Sequence, residues 1–466
     1  MTADRTPSSG SVLSPLDAAF LRLESASSPM HIASLAVFEG PPPALEELRA
    51  LVASRLDQLP RYRQVVTEAP LWLGRPMWTD DRAFDVAQHV RAVTVPAPGD
   101  GVATRELCSR LLERHLDRER PLWESWLVDG LADGRWGLLS KVHHCMVDGV
   151  AGTDLLARVL ELSADATVPE PGPAWSPTPP PGVVRRARAG LPGPPSPRAL
   201  AHRAAHPRET ARTLTADARG LLRWLAAARP LPGTPLVGPV GKARDWVWAD
   251  VSLREVRAVG HALGGTVNDV AETLVCSALR DLLTGRGLPL EHNPRALVPV
   301  SVRSHRAGGD VALDANEVSA LLLALPVDVE DPRARFEAVK HRLQQLKHSG
   351  QAEAGELLTA AAGYVSPAAL SLGLVGVFHL PHRHLSTVTT NVPGPPIPLY
   401  ALGRRLRELH PYVPIADRLR LGFAVTSYDD RLWFGVTVDR SHVDDADGLA
   451  LSIEKALREL RAVCDG

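Results

Sequence analysis

The stretch Lys141-Val142-His143-His144-Cys145-Met146-Val147-Asp148-Gly149, of pattern H-H-x-x-x-D-G, decides how the chain is read. Just before it, Trp136 to His144 alternates well enough to form a strand, although Lys141 and His143 share a face with Leu139. Just after it, Val150 to Leu162 carries Leu155, Leu156, Val159 and Leu160 at helical spacing. The motif therefore falls where a strand ends and a helix begins, a place where side chains project from a rigid scaffold. Histidine takes and returns a proton near neutral pH. A carboxylate four residues after the second ring can ion-pair, orient a ring or shape a turn, and Gly149 permits a tight backbone path beside it.

Outward from the motif, helices and strands mix. In the first half, His31 to Phe38 reads as a strand, Leu45 to Leu59 as a helix with Leu48, Leu51, Val52, Leu56 and Leu59 on one face, and Thr104 to Leu116 as a second helix. In the second half, Leu253 to Leu263, Val267 to Leu283, Pro332 to Ser349 and Asp445 to Val463 read as helices. Thr266 or Asn268 stands near the start of the second of these as an N-cap. Arg295 to Val302, Ser319 to Val327, Ser386 to Asn391, Leu421 to Ser427 and Leu432 to Asp439 read as strands. The fold class is α/β, or mixed α+β layers. Proline clusters at 177–181 and 192–197 cannot continue helices or central strands. The chain thus divides into a disordered N-terminus over 1–12, a first lobe over 13–166, a Pro/Ala/Arg-rich linker over 167–245 and a second lobe over 246–466.

Composition narrows the function classes. The 466 residues carry a net charge of -1 and are 45% hydrophobic, a globular composition long enough for two cores and with no sign of a nucleic-acid partner. Cys108, Cys145, Cys276 and Cys464 lie far apart and form no C-x-x-C pair, so neither a disulfide framework nor a zinc site is expected, and a reducing, cytoplasmic setting fits. The start lacks the apolar core of a secretion signal, and Ala368 to Leu380, the longest apolar candidate, is too short to span a bilayer.

Neighbouring residues on a strand point to opposite faces, so only one of His143 and His144 readily serves as the reactive group. The alternative is a pair of packed structural histidines. Two ligands on opposite faces do not easily share a metal, and no further clustered ligands follow, so no metal is expected. No G-x-S-x-G elbow, Walker loop or G-x-G-x-x-G loop is present, which disfavours a serine hydrolase or a nucleotide cofactor. Cys145 invites a Cys-His pair, but as His144's strand neighbour it diverges from it and reads better as a small packed residue. A lone base without a protein nucleophile suggests direct attack of an acceptor hydroxyl or amine on an activated acyl group, whose oxyanion then needs a donor. The turn Thr390-Asn-Val-Pro-Gly-Pro-Pro396 offers Thr390 and Asn391, although spacing alone favours an ordinary proline-glycine turn.

These residues resemble the bacterial wax ester synthase/acyl-CoA:diacylglycerol acyltransferase family, within the broader H-H-x-x-x-D-G group of CoA-dependent acyltransferases. The resemblance runs over nearly the whole chain: Leu13-Ser-Pro-Leu-Asp-Ala-Ala-Phe20, Pro29-Met-His-Ile32, Arg120-Pro-Leu-Trp-Glu124, the histidine motif, Asn268-Asp269, Val298-Pro-Val-Ser-Val-Arg303 and Thr390-Asn-Val-Pro-Gly-Pro395 are similar to family segments in the same order. It implies two mixed α/β lobes around a central tunnel. It implies His144 as general base, His143 and Asp148 as shapers of the site, Gly149 as the turn residue, and Asn268, Asp269, Thr390 and Asn391 as supporting residues. Helix capping is the plainer role for Asn268 and Asp269. Acyl-CoA is the implied donor, with diacylglycerol or a long-chain alcohol as acceptor, and no cofactor. Ala315-Asn316 stands where the family often has Gly-Asn, and the charged stretch Ile415 to Gly422 replaces a glycine-bearing one. Both departures bear on the acceptor, and leave open a non-lipid acceptor in secondary metabolism.

The linker has its own signal. From Val183 to Pro230 there are ten arginines and two acids, Glu209 and Asp217. Within it Glu209 to Ala228 reads as a helix with Leu214, Leu221, Leu222, Trp224 and Leu225 beside Arg212, Arg219 and Arg223. Such a helix suits the surface of an anionic membrane or a lipid inclusion, and equally a solvated connector between lobes. A non-catalytic lipid-surface protein is the remaining alternative.

Overall fold

The computed structural model describes residues 10–69, 75–146, 154–167, 175–188, 235–291, 293–301, 318–348, 385–416 and 418–465. Twelve of its strands build two six-stranded sheets. The first has the order β11 (Tyr400–Ala401), β12 (Arg404–Tyr412), β1 (His31–Phe38), β6 (Trp136–His143), β5 (Trp123–Asp129) and β4 (Val90–Thr94). The second has the order β7 (Arg244–Ser252), β14 (Arg431–Asp439), β13 (Leu421–Tyr428), β10 (Thr387–Val392), β8 (Arg295–Ser301) and β9 (Val318–Ala324). A ribbon of β2 (Gln64–Thr67) and β3 (Met77–Asp80) stands apart. Each large sheet mixes antiparallel with parallel pairs: β4–β5 in the first, β10–β13 and β8–β10 in the second. This is the expected mixed α/β class.

The strand period sorts the cores. Along β1, Ala36 and Phe38 join the cluster under helix α2 (Leu45–Arg55), with Leu48, Leu51, Val52 and Trp136. Leu35 and Val37 point the other way, toward Leu107, Cys108, Leu111 and Leu112. Those residues belong to a helix over Gly101–Leu112, which starts three residues earlier than the apolar pattern predicts because Asp100 accepts a hydrogen bond from Ala103 N and caps it. The second sheet packs against helices over Leu253–Ala262, Val267–Gly285, Pro332–His348 and Ala446–Asp465. In chain order the described α-helices are α1 (Pro15–Leu23), α2, α3 (Val86–His89), α4 (Gly101–Leu112), α5 (Asp154–Val159), α6 (Val183–Arg188), α7 (Leu253–Ala262), α8 (Val267–Gly285), α9 (Pro332–His348) and α10 (Ala446–Asp465). In α5 the expected inward residues Leu155, Leu156 and Val159 are buried. The helix expected over Glu209 to Ala228, the apolar run Ala368 to Leu380 and Ala315-Asn316 lie outside the described residues.

One division differs from the sequence reading. β11 and β12 come from the part of the chain assigned to the second lobe, yet β12 pairs antiparallel with β1 from Ala33↔Tyr412 to Phe38↔Leu406. β12 does not read as a strand because three arginines and a proline interrupt its pattern, and proline withdraws a ladder donor. Strand β7 alternates across the seam between lobes. Val247, Ala249 and Val251 enter the second core, whereas Trp246 joins α4 and Tyr412 in the first. Trp246 N donates to Ser109 Oγ at 3.1 Å and Trp246 Nε1 to Pro411 O at 3.1 Å. Pro411 O also faces Gly435 of β14, where a Cβ would lie only 1.7 Å away. Glycine is required there by the close approach of two backbones.

Gly435→Ala should therefore force the two sheets apart, with a loss of about 3 kcal/mol in unfolding free energy. Urea denaturation of the purified variant checks this, and an unchanged midpoint would show that the seam yields without strain.

Candidate active site

Strand β6 ends one residue earlier than expected. His143 is its last residue, and His144 opens a 3-10 turn over His144–Met146. The two rings are therefore not simple opposite-face neighbours of one strand. Main-chain bonds set the junction: His143 N donates to Leu122 O at 2.9 Å and His144 N to Met30 O at 2.8 Å. Asp148 and Gly149 lie outside the described residues.

His143 is buried and lies in register with His31 of β1. Its Nδ1 accepts from Cys145 N at 3.1 Å, which assigns the proton to Nε2, 3.7 Å from Glu24 Oε1. Glu24 in turn accepts from Arg118 at 2.7 and 3.1 Å and from Met30 N at 3.2 Å. Burial alone would raise the Glu24 carboxyl, but His143, Arg118 and the Met30 amide outweigh it and the net shift is downward. Burial pushes the His143 imidazole down to about 4 although Glu24 opposes it. At neutral pH the ring is thus neutral, and the charged partner of Glu24 is Arg118. Sequence reasoning missed Glu24. Its only signal is its place one turn after Phe20 at the end of α1.

His144 is half-buried, and its ring stacks on Phe20 with centroids 3.9 Å apart. α1 is capped by Ser14, whose hydroxyl accepts from Asp17 N, with Pro15 in its first turn. Leu13, Ala18 and Leu21 pack with Cys145 behind the histidine turn. The opening segment of the chain is thus a wall of this site. Burial pushes His144 down to about 4, so it is a neutral proton acceptor at pH 7, and its Nδ1 has no hydrogen-bond partner among the described residues. Burial raises the Cys145 thiol well above its ordinary value, which suits a packed residue and not a nucleophile. Lys141, on the His143 side of β6, is buried because its ammonium donates to Leu111 O at 3.2 Å and to Arg114 O, main-chain acceptors at the end of α4. Burial lowers it to about 8.

The supporting residues form a second group on the other sheet. Asn391, on β10, donates through Nδ2 to Asn268 Oδ1 on α8 at 3.0 Å. Two motifs 123 residues apart in sequence thereby meet. Asp269 is a capping residue: it accepts from Thr266 N and Thr266 Oγ1, both at 2.8 Å, while Thr266 Oγ1 accepts from Asp269 N. Thr390 precedes Asn391 on β10 and sits opposite Ala424. The following turn is fastened to β13, with Gly394 N donating to Ser427 Oγ at 3.1 Å. No hydrogen bond or ion pair among the described residues joins the histidine group to the asparagine group. In the departing stretch 415–422, the Arg420 guanidinium donates to Pro235 O at 2.8 Å and the main chain of Arg418 accepts from Gly238 N, so both residues tie down the returning linker.

Folding keeps His31, His143 and His144 neutral, and burial lowers His89 and His410 as well. The unfolded chain binds more protons below the ordinary histidine value, so stability is complete above about pH 6.5 and falls as pH drops toward 4. Melting temperature measured from pH 8 to 4.5 should be level and then decline through that window; a level profile down to pH 4.5 would contradict the neutral, buried rings.

Comparison with known proteins agrees with this architecture. Residues 13–271 match the wax ester synthase/diacylglycerol acyltransferase catalytic domain, and residues 315–461 match the C-terminal domain of the same family. A Mycobacterium tuberculosis protein named probable diacylglycerol O-acyltransferase is 37% identical, over 97% of this chain and 96% of its own. The solved wax ester synthase/diacylglycerol acyltransferase of Marinobacter aquaeolei VT8 superposes with a TM-score of 0.69 at 28% identity, over 98% of this chain and 100% of that one. The starter condensation domain of rhizomide synthetase, solved with C8-CoA, shares the fold at a TM-score of 0.59 and 15% identity, over 98% of this chain and 95% of that one. With both domains matched in order along one two-lobed scaffold, the chain belongs to the wax ester synthase/diacylglycerol acyltransferase family.

Proposed function

We propose that this acyltransferase moves a long-chain acyl group from CoA to a lipid hydroxyl, with diacylglycerol as first acceptor and a long-chain alcohol as second, and with His144 as general base. The observation that carries the reading is His144 itself, a neutral ring set at the exit of β6 by Met30 O and Phe20. The acceptor hydroxyl gives its proton to the imidazole as its oxygen attacks the thioester carbonyl. The tetrahedral intermediate then expels CoA thiolate, which takes the proton back from the imidazolium. His143 holds the turn through Cys145 N, and the motif assigns Asp148 and Gly149 the shaping of the site. Asn391 keeps one amide hydrogen free of the bond to Asn268 and is available to a developing oxyanion or to the acceptor, with Thr390 beside it.

No described helix is long and apolar enough to cross a membrane. Peripheral contact of a cytoplasmic protein with a membrane or lipid inclusion, through the basic amphipathic stretch 209–228, fits substrates and products that partition into lipid.

Purified protein given labelled palmitoyl-CoA with diacylglycerol or hexadecanol should form neutral lipid, and His144→Ala should lower turnover about 100-fold or more. Undiminished turnover in the variant, or an acyl group trapped on Cys145, would overturn the mechanism. A second consequence concerns pH. Initial rates should hold below the ordinary histidine value and fall only toward about pH 4, where His144 charges. An acid limb centred near 6.5 would exclude His144 in its buried form as the base.

A further inference from the structure

Glu272 is used by nothing in this mechanism. It lies in α8, fully buried, and neither carboxyl oxygen has a hydrogen-bond partner among the described residues. A buried polar group without a partner costs stability, so its retention calls for an explanation. Burial and the neighbouring Asp269 push its carboxyl up to about 8. At neutral pH it is chiefly a neutral acid, with one O–H donor and a carbonyl acceptor.

Its place in the fold is specific. Glu272 follows Asn268 by four residues and so lies beside it, one turn along the same side of α8. Asn268 is the residue that meets Asn391, so this side of α8 looks onto β10. Thr389 precedes Asn391 by two residues and shares its face of the strand. Thr389 is also fully buried, and its hydroxyl has no partner among the described residues. Two polar groups without partners among the described residues thus flank the asparagine pair, each one step along its own element. Asp269, by contrast, is consumed by the helix cap.

We propose that Glu272 and Thr389 form a polar subsite beside the Asn268–Asn391 pair that takes an ester carbonyl of the acyl acceptor and so selects diacylglycerol over a simple long-chain alcohol. This deepens the acyltransferase reading above and rests on it. Neutral O–H donors suit a carbonyl oxygen and give little to an ion. A diacylglycerol must bring two ester carbonyls into the protein along with its hydroxyl, and an apolar wall would leave them without partners. A long-chain alcohol brings only the hydroxyl that His144 serves.

The test is the ratio of kcat/KM for dioleoylglycerol to that for hexadecanol, with palmitoyl-CoA as donor, alongside thermal melts. In Glu272→Leu the ratio should fall about tenfold or more, the worth of one buried hydrogen bond. The same variant should melt at or above the parent, because an apolar group of similar size replaces a buried acid without a partner among the described residues. Glu272→Gln keeps a donor and an acceptor and should restore most of the ratio. An unchanged ratio in folded Glu272→Leu would overturn the proposal and mark the acid as a purely structural burden. If that variant fails to fold, Thr389→Val decides: a lowered ratio supports the subsite and an unchanged one overturns it. A parent inactive on both acceptors would overturn the underlying reading instead, which separates the two failures.

Discussion

The pairing of β12 with β1 is the constraint on which the rest of the molecule depends. β1 is held between β12 and β6, so the position of His143 at the end of β6 is tied to a strand that arrives from the far end of the chain. A slip of one residue in that register would turn Leu35 and Val37 out of the α4 core and Ala36 and Phe38 into it. The back of β12 is locked in turn by Pro411 O, which takes the Trp246 indole and lies against Gly435. Tyr428 adds a bond from β13, donating to Leu406 O at 3.0 Å. The two lobes are therefore one cooperative object at this seam. The first sheet is completed only by β11 and β12, which arrive from the second half of the chain.

Around the histidines the governing effect is desolvation. The site buries Lys141, His31, His143 and Glu24 within a few residues of one another in the sheet and α1. Low polarity makes isolated charge expensive. The structure answers by keeping His31 and His143 neutral, placing the Lys141 ammonium on main-chain carbonyls, and giving Glu24 the guanidinium of Arg118. His31 and His143 are thus left neutral at pH 7 beside one anchored ion pair.

Much of this was legible in the sequence. The strand–turn–helix setting of the histidine motif, the strands His31–Phe38 and Leu421–Tyr428, and the helix opened by Thr266 follow from period and capping alone. What was hidden depends on contacts between distant segments. β12 was obscured because charged residues and Pro411 break its alternation, while its strand character comes from β1. Glu24 was invisible because an acid at the end of an amphipathic helix normally faces water, and only the folded chain brings Arg118 and His143 to it. Asp269 illustrates the reverse. The capping role that local spacing suggested is the one its carboxylate performs, whereas Asn268, beside it, is turned toward Asn391.

The two groups of site residues are supported in different ways, and this bears on what each can do. His144 is placed by main-chain bonds and ring stacking, so its position survives changes in the neighbouring side-chain charges. The Asn268–Asn391 pair is a side-chain contact between a helix end and a strand end, and it is fastened only through α8 and β10. Rotamer choice and small shifts of α8 therefore reach it directly. On the mechanism proposed above, a scaffold built this way would keep proton transfer at His144 constant while the second lobe varied what it recognised. Glu272, one turn along α8 and without a partner among the described residues, fits that division, because a cost in stability carried at the adaptable group can be repaid by selectivity without disturbing the proposed base.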